Sequence, residues 1–283
     1  MIERIRDYFM PARAAPANIR TSPQPEWLLE QLCLPSDAQI EIIRQSCLKV
    51  TQEDKALKVK YGETPAEAYV LQREAEWLTR LSALNLTSSE CIKFYRNGQQ
   101  SYLLTNYLSG LSANQWLRER RKSIDEPSYI AQQGYNDQPS YAHQLSYYHQ
   151  ISKYLESVLD QLEAIHSNGF VHGDIKPSNI IFHPDNTANL IDFSNTRRIG
   201  EPWLERGFKQ FSPSYFCNKH SSTATIKQDY YAYLISLMVL FEPETRVNES
   251  TMEGFDTLIE KYAEDRVIST RFKHRILALN RSL

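Results

Sequence analysis

Between Val171 and Asn179 the chain reads Val171-His172-Gly173-Asp174-Ile175-Lys176-Pro177-Ser178-Asn179, and Asp192-Phe193 follows thirteen residues after Asn179. These residue types suit phosphoryl transfer from Mg·ATP. That chemistry needs a carboxylate to orient the attacking hydroxyl, a cation for the transferring phosphate and oxygen ligands for magnesium. Asp174, Lys176, Asn179 and Asp192 supply them in that order. The runs NIIF and ANLID flank the turn residues His183-Pro184-Asp185-Asn186, which predicts a hairpin. A hairpin folds its ends together, so Asn179 and Asp192 could reach one metal ion.

The elements that would position such a site can be read locally. Short alternating runs, QIEIIRQS, CLKVTQ and KALKVKY, predict a small antiparallel meander from about residue 38. A helix follows, with Thr64 as N-cap, Pro65 at its first position and Glu67 closing a T-x-x-E box, and it is expected to run to about Leu84. On it Leu71, Glu74, Leu78 and Leu81 share one stripe, so Glu74 interrupts an apolar face. A buried carboxylate needs a partner, and one left unpaired costs roughly 3–5 kcal/mol. Lys58 and Lys60 are both candidates, because side chains two apart on a strand share a face. Glu76 points off the stripe and is the weaker carboxylate. Two further strands, CIKFYR and SYLLTNY, flank a turn expected at Asn97-Gly98-Gln99-Gln100.

After Gly110 the pattern is helical, with a polar interruption at about 122–142 that reads as a loop or insert. Helix returns at about 145, where Ile151, Leu155, Val158, Leu162 and Ile165 recur at helical steps before the stop at Asn168-Gly169. Residues 11–25 hold four of the thirteen prolines and read as a linker after a short amphipathic helix bearing Ile2, Ile5 and Phe9. The expected division is 1–26 for helix and linker, 27–108 for a strand-rich part and 109–283 for a mainly helical part.

Composition narrows the function classes. The 283 residues carry 32 Lys and Arg against 34 Asp and Glu, so no broad electrostatic footprint for nucleic acid or an anionic membrane is expected. The uncharged, strongly apolar run Tyr230 to Phe241 is too short to span a bilayer and reads as a buried helix. Cys33, Cys47, Cys91 and Cys217 form no C-x-x-C pair, which suits a reducing, cytoplasmic setting. No signal for an oligomer stands out.

The stretch His172 to Asn179 resembles the catalytic loop of the eukaryotic-like protein kinase superfamily, H-x-D-x-K-x-x-N, and Asp192-Phe193 resembles the start of its metal-binding loop. The resemblance implies an α+β, bilobal kinase-like fold, with a small antiparallel-sheet N-lobe carrying one helix and a mainly helical C-lobe. It implies ATP and Mg2+ as cofactors and a protein substrate. Asp174 would be the base, Lys176 would meet the γ-phosphate, Asn179 and Asp192 would bind magnesium, and His172 would brace the loop. A lysine paired with Glu74 would order the α- and β-phosphates. The family pattern A-x-K, with Ala56 beside adenine, selects Lys58 over Lys60. Backbone around Asn106 and Leu108 would hydrogen-bond adenine, Thr105 would be the gatekeeper, and Asp229 would hold the catalytic-loop backbone.

Departures from the pattern matter as much. Gly62 is the first glycine, so no glycine-rich phosphate loop precedes the lysines, and Arg44-Gln45-Ser46 occupies that turn. Ser194 replaces the glycine after Asp192-Phe193 and limits a backbone flip. Gly173 stands where regulated relatives have an arginine, so activity without phosphorylation of the chain is expected. Arg197 and Arg198 read as a solvated charge pair. Gly207 to Ser214 is a degraded substrate-loop ending, and the chain after Phe241 is short, so late helices are expected to be missing or shortened. A Ser/Thr protein kinase is the leading expectation, favoured by Lys176-Pro177. The alternatives are a small-molecule kinase of the aminoglycoside or choline phosphotransferase type, which shares His-Gly-Asp, and a pseudokinase binding module, which the missing glycine loop favours.

Overall fold

Thr64 caps its helix as its sequence requires: its hydroxyl accepts from the Glu67 amide at 3.2 Å, and the Glu67 carboxylate accepts from the Thr64 amide at 3.0 Å. Hydrogen bonds from the Glu63 amide and from Thr64 hold the Glu67 carboxyl below the usual carboxylate range. These details come from a computed structural model that describes residues 25–34, 37–53, 55–125, 141–203, 215, 222–242, 254–265 and 267–283. The chain divides into two compact units, the first ending at Leu108 and the second beginning at Ser109.

The first unit is built on a five-stranded antiparallel sheet in the order β1-β2-β3-β5-β4. Its strands are β1 (Gln39–Arg44), β2 (Cys47–Gln52), β3 (Lys55–Gly62), β4 (Cys91–Asn97) and β5 (Gln100–Asn106). The β4–β5 loop is tighter than expected, because Asn97 pairs with Gln100 and only Gly98 and Gln99 turn. One sheet face carries Leu48, Val50, Leu57, Val59, Tyr102 and Leu104, which pack against Leu28 and Leu32 of a short helix, α1 (Glu26–Leu32). That helix was not expected from the sequence. The longer helix α2 (Pro65–Ala83) follows β3 and supplies the single stripe foreseen, with Leu71, Glu74, Leu78 and Leu81 all buried.

In the second unit β6 (Leu111–Ser112) pairs with β8 (Ile180–Phe182), which pairs in turn with β9 (Ala188–Leu190). Gly110 has φ +140°, and a Cβ there would lie 2.3 Å from the Phe182 carbonyl, so this approach excludes any other residue. The core helix is α4 (Tyr141–Ser167), after α3 (Ala113–Asp125), and Ile151, Leu155, Val158, Leu162 and Ile165 are all fully buried. Helix α3 reaches into the polar stretch read as an insert, of which 126–140 lies outside the described residues. The apolar run becomes α5 (Ile226–Phe241), and two more helices, α6 (Phe255–Glu264) and α7 (Thr270–Ser282), follow it. Arg275 of α7 ties back to α4 through Asp160 at 2.8 Å and Glu163 at 3.0 Å. The expected N-terminal helix, the expected linker up to residue 24 and the expected substrate-loop ending at 207–214 lie outside the described residues. Among the described residues no helix is long and apolar enough to cross a membrane.

Candidate active site

The second unit gathers Asp174, Lys176 and Asn179 on one carboxylate. The Lys176 ammonium donates to Asp174 Oδ2 at 2.6 Å, and Asn179 Nδ2 donates to the same oxygen at 3.0 Å and to the Asp174 carbonyl at 2.9 Å. A turn of 3-10 helix over Pro177–Asn179 brings the asparagine back toward the aspartate. Because its amide nitrogen is engaged, Asn179 has a carbonyl oxygen to offer a cation.

Asp192 reaches the same end of the β8–β9 hairpin, since the Ile191 amide donates to the Asn179 carbonyl at 2.9 Å. Its backbone is left-handed, with φ +70° and ψ +69°, a conformation that costs a non-glycine residue about 1–3 kcal/mol and concentrates at functional sites. The Ser194 hydroxyl donates to Asp192 Oδ1 at 3.1 Å, so the residue in the usual glycine position also fixes the carboxylate. Oxygen atoms of Asn179 and Asp192 form a hard donor set of the kind magnesium prefers.

The backbone of this loop hangs on Asp229, near the start of α5. Its carboxylate accepts from the His172 amide at 2.7 Å and the Gly173 amide at 2.9 Å, and it meets His166 Nε2 at 2.9 Å. His172 is fully buried, and burial pushes its imidazole below the ordinary histidine value. Its Nδ1 accepts from the Asp174 amide at 3.3 Å while Nε2 faces the Ile191 carbonyl at 3.2 Å, an arrangement that suits the neutral ring.

In the first unit Lys60 Nζ lies 2.7 Å from both oxygens of Glu74. The expectation of Lys58 is thereby corrected. Both lysines share the sheet face opposite the Leu57 and Val59 cluster, but Lys60 pairs across β5 with Leu103 and Lys58 with Thr105, and Glu74 meets the former register. A small residue two positions upstream did not set that register, because Lys58 itself stands two before Lys60. Ala56 contributes its carbonyl to the Tyr107 amide at 3.1 Å. Asn106 is pinned at the end of β5, where its side chain accepts from the Glu90 amide at 2.7 Å and donates to the Ser88 carbonyl at 2.8 Å. Leu108 closes the first unit, and Thr105 is buried. Glu76 is engaged on the helix surface with Gln72.

Arg197 is buried rather than solvated, pairs in a two-residue strand with Val171 and donates to the Thr196 carbonyl, whereas Arg198 is exposed. Residues not anticipated from the sequence also contribute. His166 is one position beyond the buried stripe of α4, and Trp203 lies far along the chain from the loop it touches.

The family model for the protein kinase domain matches residues 42–274. The chain belongs to the protein kinase domain family. This kinase domain is 21% identical over 191 residues to a probable serine/threonine-protein kinase PknB of Lactococcus lactis, covering 66% of the chain and 26% of that relative. A mitogen-activated protein kinase kinase kinase 17 of Arabidopsis thaliana is 38% identical over 150 residues, 52% of the chain and 34% of the relative. The serine/threonine-protein kinase STK11 of Gallus gallus is 21% identical over 205 residues, 70% of the chain and 40% of the relative. The chain thus spans well under half the length of these relatives. Its antiparallel-sheet first unit and helical second unit are the two parts of an α+β kinase fold.

Proposed function

We propose that this chain is a serine/threonine protein kinase that transfers the γ-phosphate of Mg·ATP to a protein hydroxyl. The observation that carries the reading is the convergence of Lys176 and Asn179 on one oxygen of Asp174. In the proposed reaction the acceptor hydroxyl is oriented by Asp174, which takes its proton as the new oxygen–phosphorus bond forms. The bond from the γ-phosphorus to the β-phosphate oxygen breaks and ADP leaves. Lys176 neutralises charge on the transferring group. Asn179 and Asp192 would hold Mg2+, which when bound offsets the charge of the phosphates. Lys60, set by Glu74, would order the α- and β-phosphates, and backbone from Asn106 to Leu108 would meet the base.

The absence of glycine from the β1–β2 turn favours a second reading, a nucleotide-binding module without transfer. There Gln45 and Ser46 make a two-residue turn, with Arg44 paired to Cys47. The test is incubation of wild type and Asp174→Ala with Mg·ATP labelled at the γ-phosphate, alone and with a cell lysate. Asp174-dependent label on protein is expected. ATP consumption without labelled protein would point to a small acceptor, and no consumption would leave the binding module.

A further inference from the structure

We infer that Trp203 is a positioning residue that fastens the segment after the metal-binding loop onto the catalytic loop, in place of a phosphate–arginine brace. Gly173 has φ +84°, and a Cβ there would lie 2.6 Å from the Asn195 carbonyl oxygen and 2.9 Å from Trp203 Cζ3. The indole therefore stands in the space that any side chain at 173 would need. It is buried in a cluster with Val171, which precedes the catalytic loop, and Ala224, which precedes α5.

Main-chain pairing holds the tryptophan in place from both sides. The Trp203 amide donates to the Ser222 carbonyl at 3.1 Å, the Ala224 amide to the Glu201 carbonyl at 2.7 Å, and the Gly200 amide to the Ala224 carbonyl at 2.8 Å. Upstream, the Ile199 amide donates to the Gly169 carbonyl at 2.9 Å, and Arg197 and Arg198 pair with Val171 and Phe170. Residues 196–203 are thus laid along the loop by packing and backbone hydrogen bonds. None of these contacts requires a phosphorylated residue, and salt screens such contacts little compared with exposed charges.

The kinetic consequence rests on the proposed phosphotransfer, while the brace itself is a property of the loop. In the full chain, dephosphorylated with a nonspecific phosphatase, wild-type transfer of labelled phosphate to itself or to myelin basic protein should be unchanged. Trp203→Ala should lower kcat by about 10- to 100-fold with little change in KM for ATP, since a small misplacement of catalytic groups costs this much. Trp203→Phe should recover most of the loss. Gly173→Ala, which pushes on the indole from the other side, should resemble Trp203→Ala. Hydrogen exchange at the amides of His172, Gly173 and Arg197 should quicken in Trp203→Ala and not in Trp203→Phe. Loss of wild-type activity on dephosphorylation, or unaltered exchange at those amides in Trp203→Ala, would overturn the inference. If wild type transfers no phosphate at all, the proposed function fails and the exchange comparison still decides the brace.

Discussion

Lys60 Nζ donates to both carboxylate oxygens of Glu74 at 2.7 Å, and the two side chains are 11% and 4% exposed. A doubly bonded pair this deep is sensitive to losing one partner, because the remaining charge stays buried. Lys60→Met should therefore lower unfolding stability by roughly 3–5 kcal/mol, and adding Glu74→Leu should restore much of it. Lys58→Met leaves that buried pair intact and should cost less than Lys60→Met. Urea denaturation of the three variants measures this, and equal effects at 58 and 60 would refute the assignment.

Asp174→Asn keeps the shape of the side chain and an acceptor oxygen for Lys176 but removes the base. Phosphate transfer should fall by roughly 100- to 10,000-fold. Nucleotide affinity, measured by calorimetry with Mg·ADP, should stay within a factor of about 3, since the substitution adds no bulk where the phosphates bind. A variant that transfers at wild-type rate would remove Asp174 from the chemistry.

Much of this site could be read from the chain because its signals are local. Asp174, Lys176 and Asn179 lie within six residues, and the β8–β9 hairpin that carries Asp192 to them has its own turn residues. The capping box at Thr64 and the stripe containing Glu74 are likewise set by neighbours in sequence. The lysine was not legible, because the two-residue period of a strand gives Lys58 and Lys60 the same face and only the pairing register separates them. Helix α1 escaped notice because seven residues offer just two core leucines, Leu28 and Leu32, too few to show a period. His166 and Trp203 act on residues distant in sequence, and nothing in their own surroundings announces it.

His172 gives the fold an acid-side weakness. Burial holds its native pKa below the ordinary 6.5, although the charges of Asp229, Asp174 and Asp192 push the other way. In the unfolded chain the ring takes up a proton as pH falls through that value, while the native ring stays neutral. Stability from this group is thus intact above the unfolded pKa and declines as pH drops below it, by up to about 1.4 kcal/mol per pH unit. His172→Gln should be less stable at neutral pH but lose less on going from pH 7.5 to about 5.5. Parallel pH profiles for wild type and variant would show that another group controls the decline.

Asp229 serves three donors with two oxygens: the amides of His172 and Gly173 and the Nε2 of His166. Asp229→Asn replaces one acceptor by an NH2 group that faces a donor, so at least one of these bonds must break within a buried site. The expected loss is about 1.5–3 kcal/mol for each charge-assisted bond broken. The damage falls on the backbone immediately before Asp174, so kcat should drop while KM for ATP changes little. His166→Gln removes one donor and leaves both amides bonded, which should produce a smaller loss of the same kind. If His166→Gln proves the more damaging of the two, the histidine and not the carboxylate holds the catalytic loop, and the order of support argued from these distances is reversed.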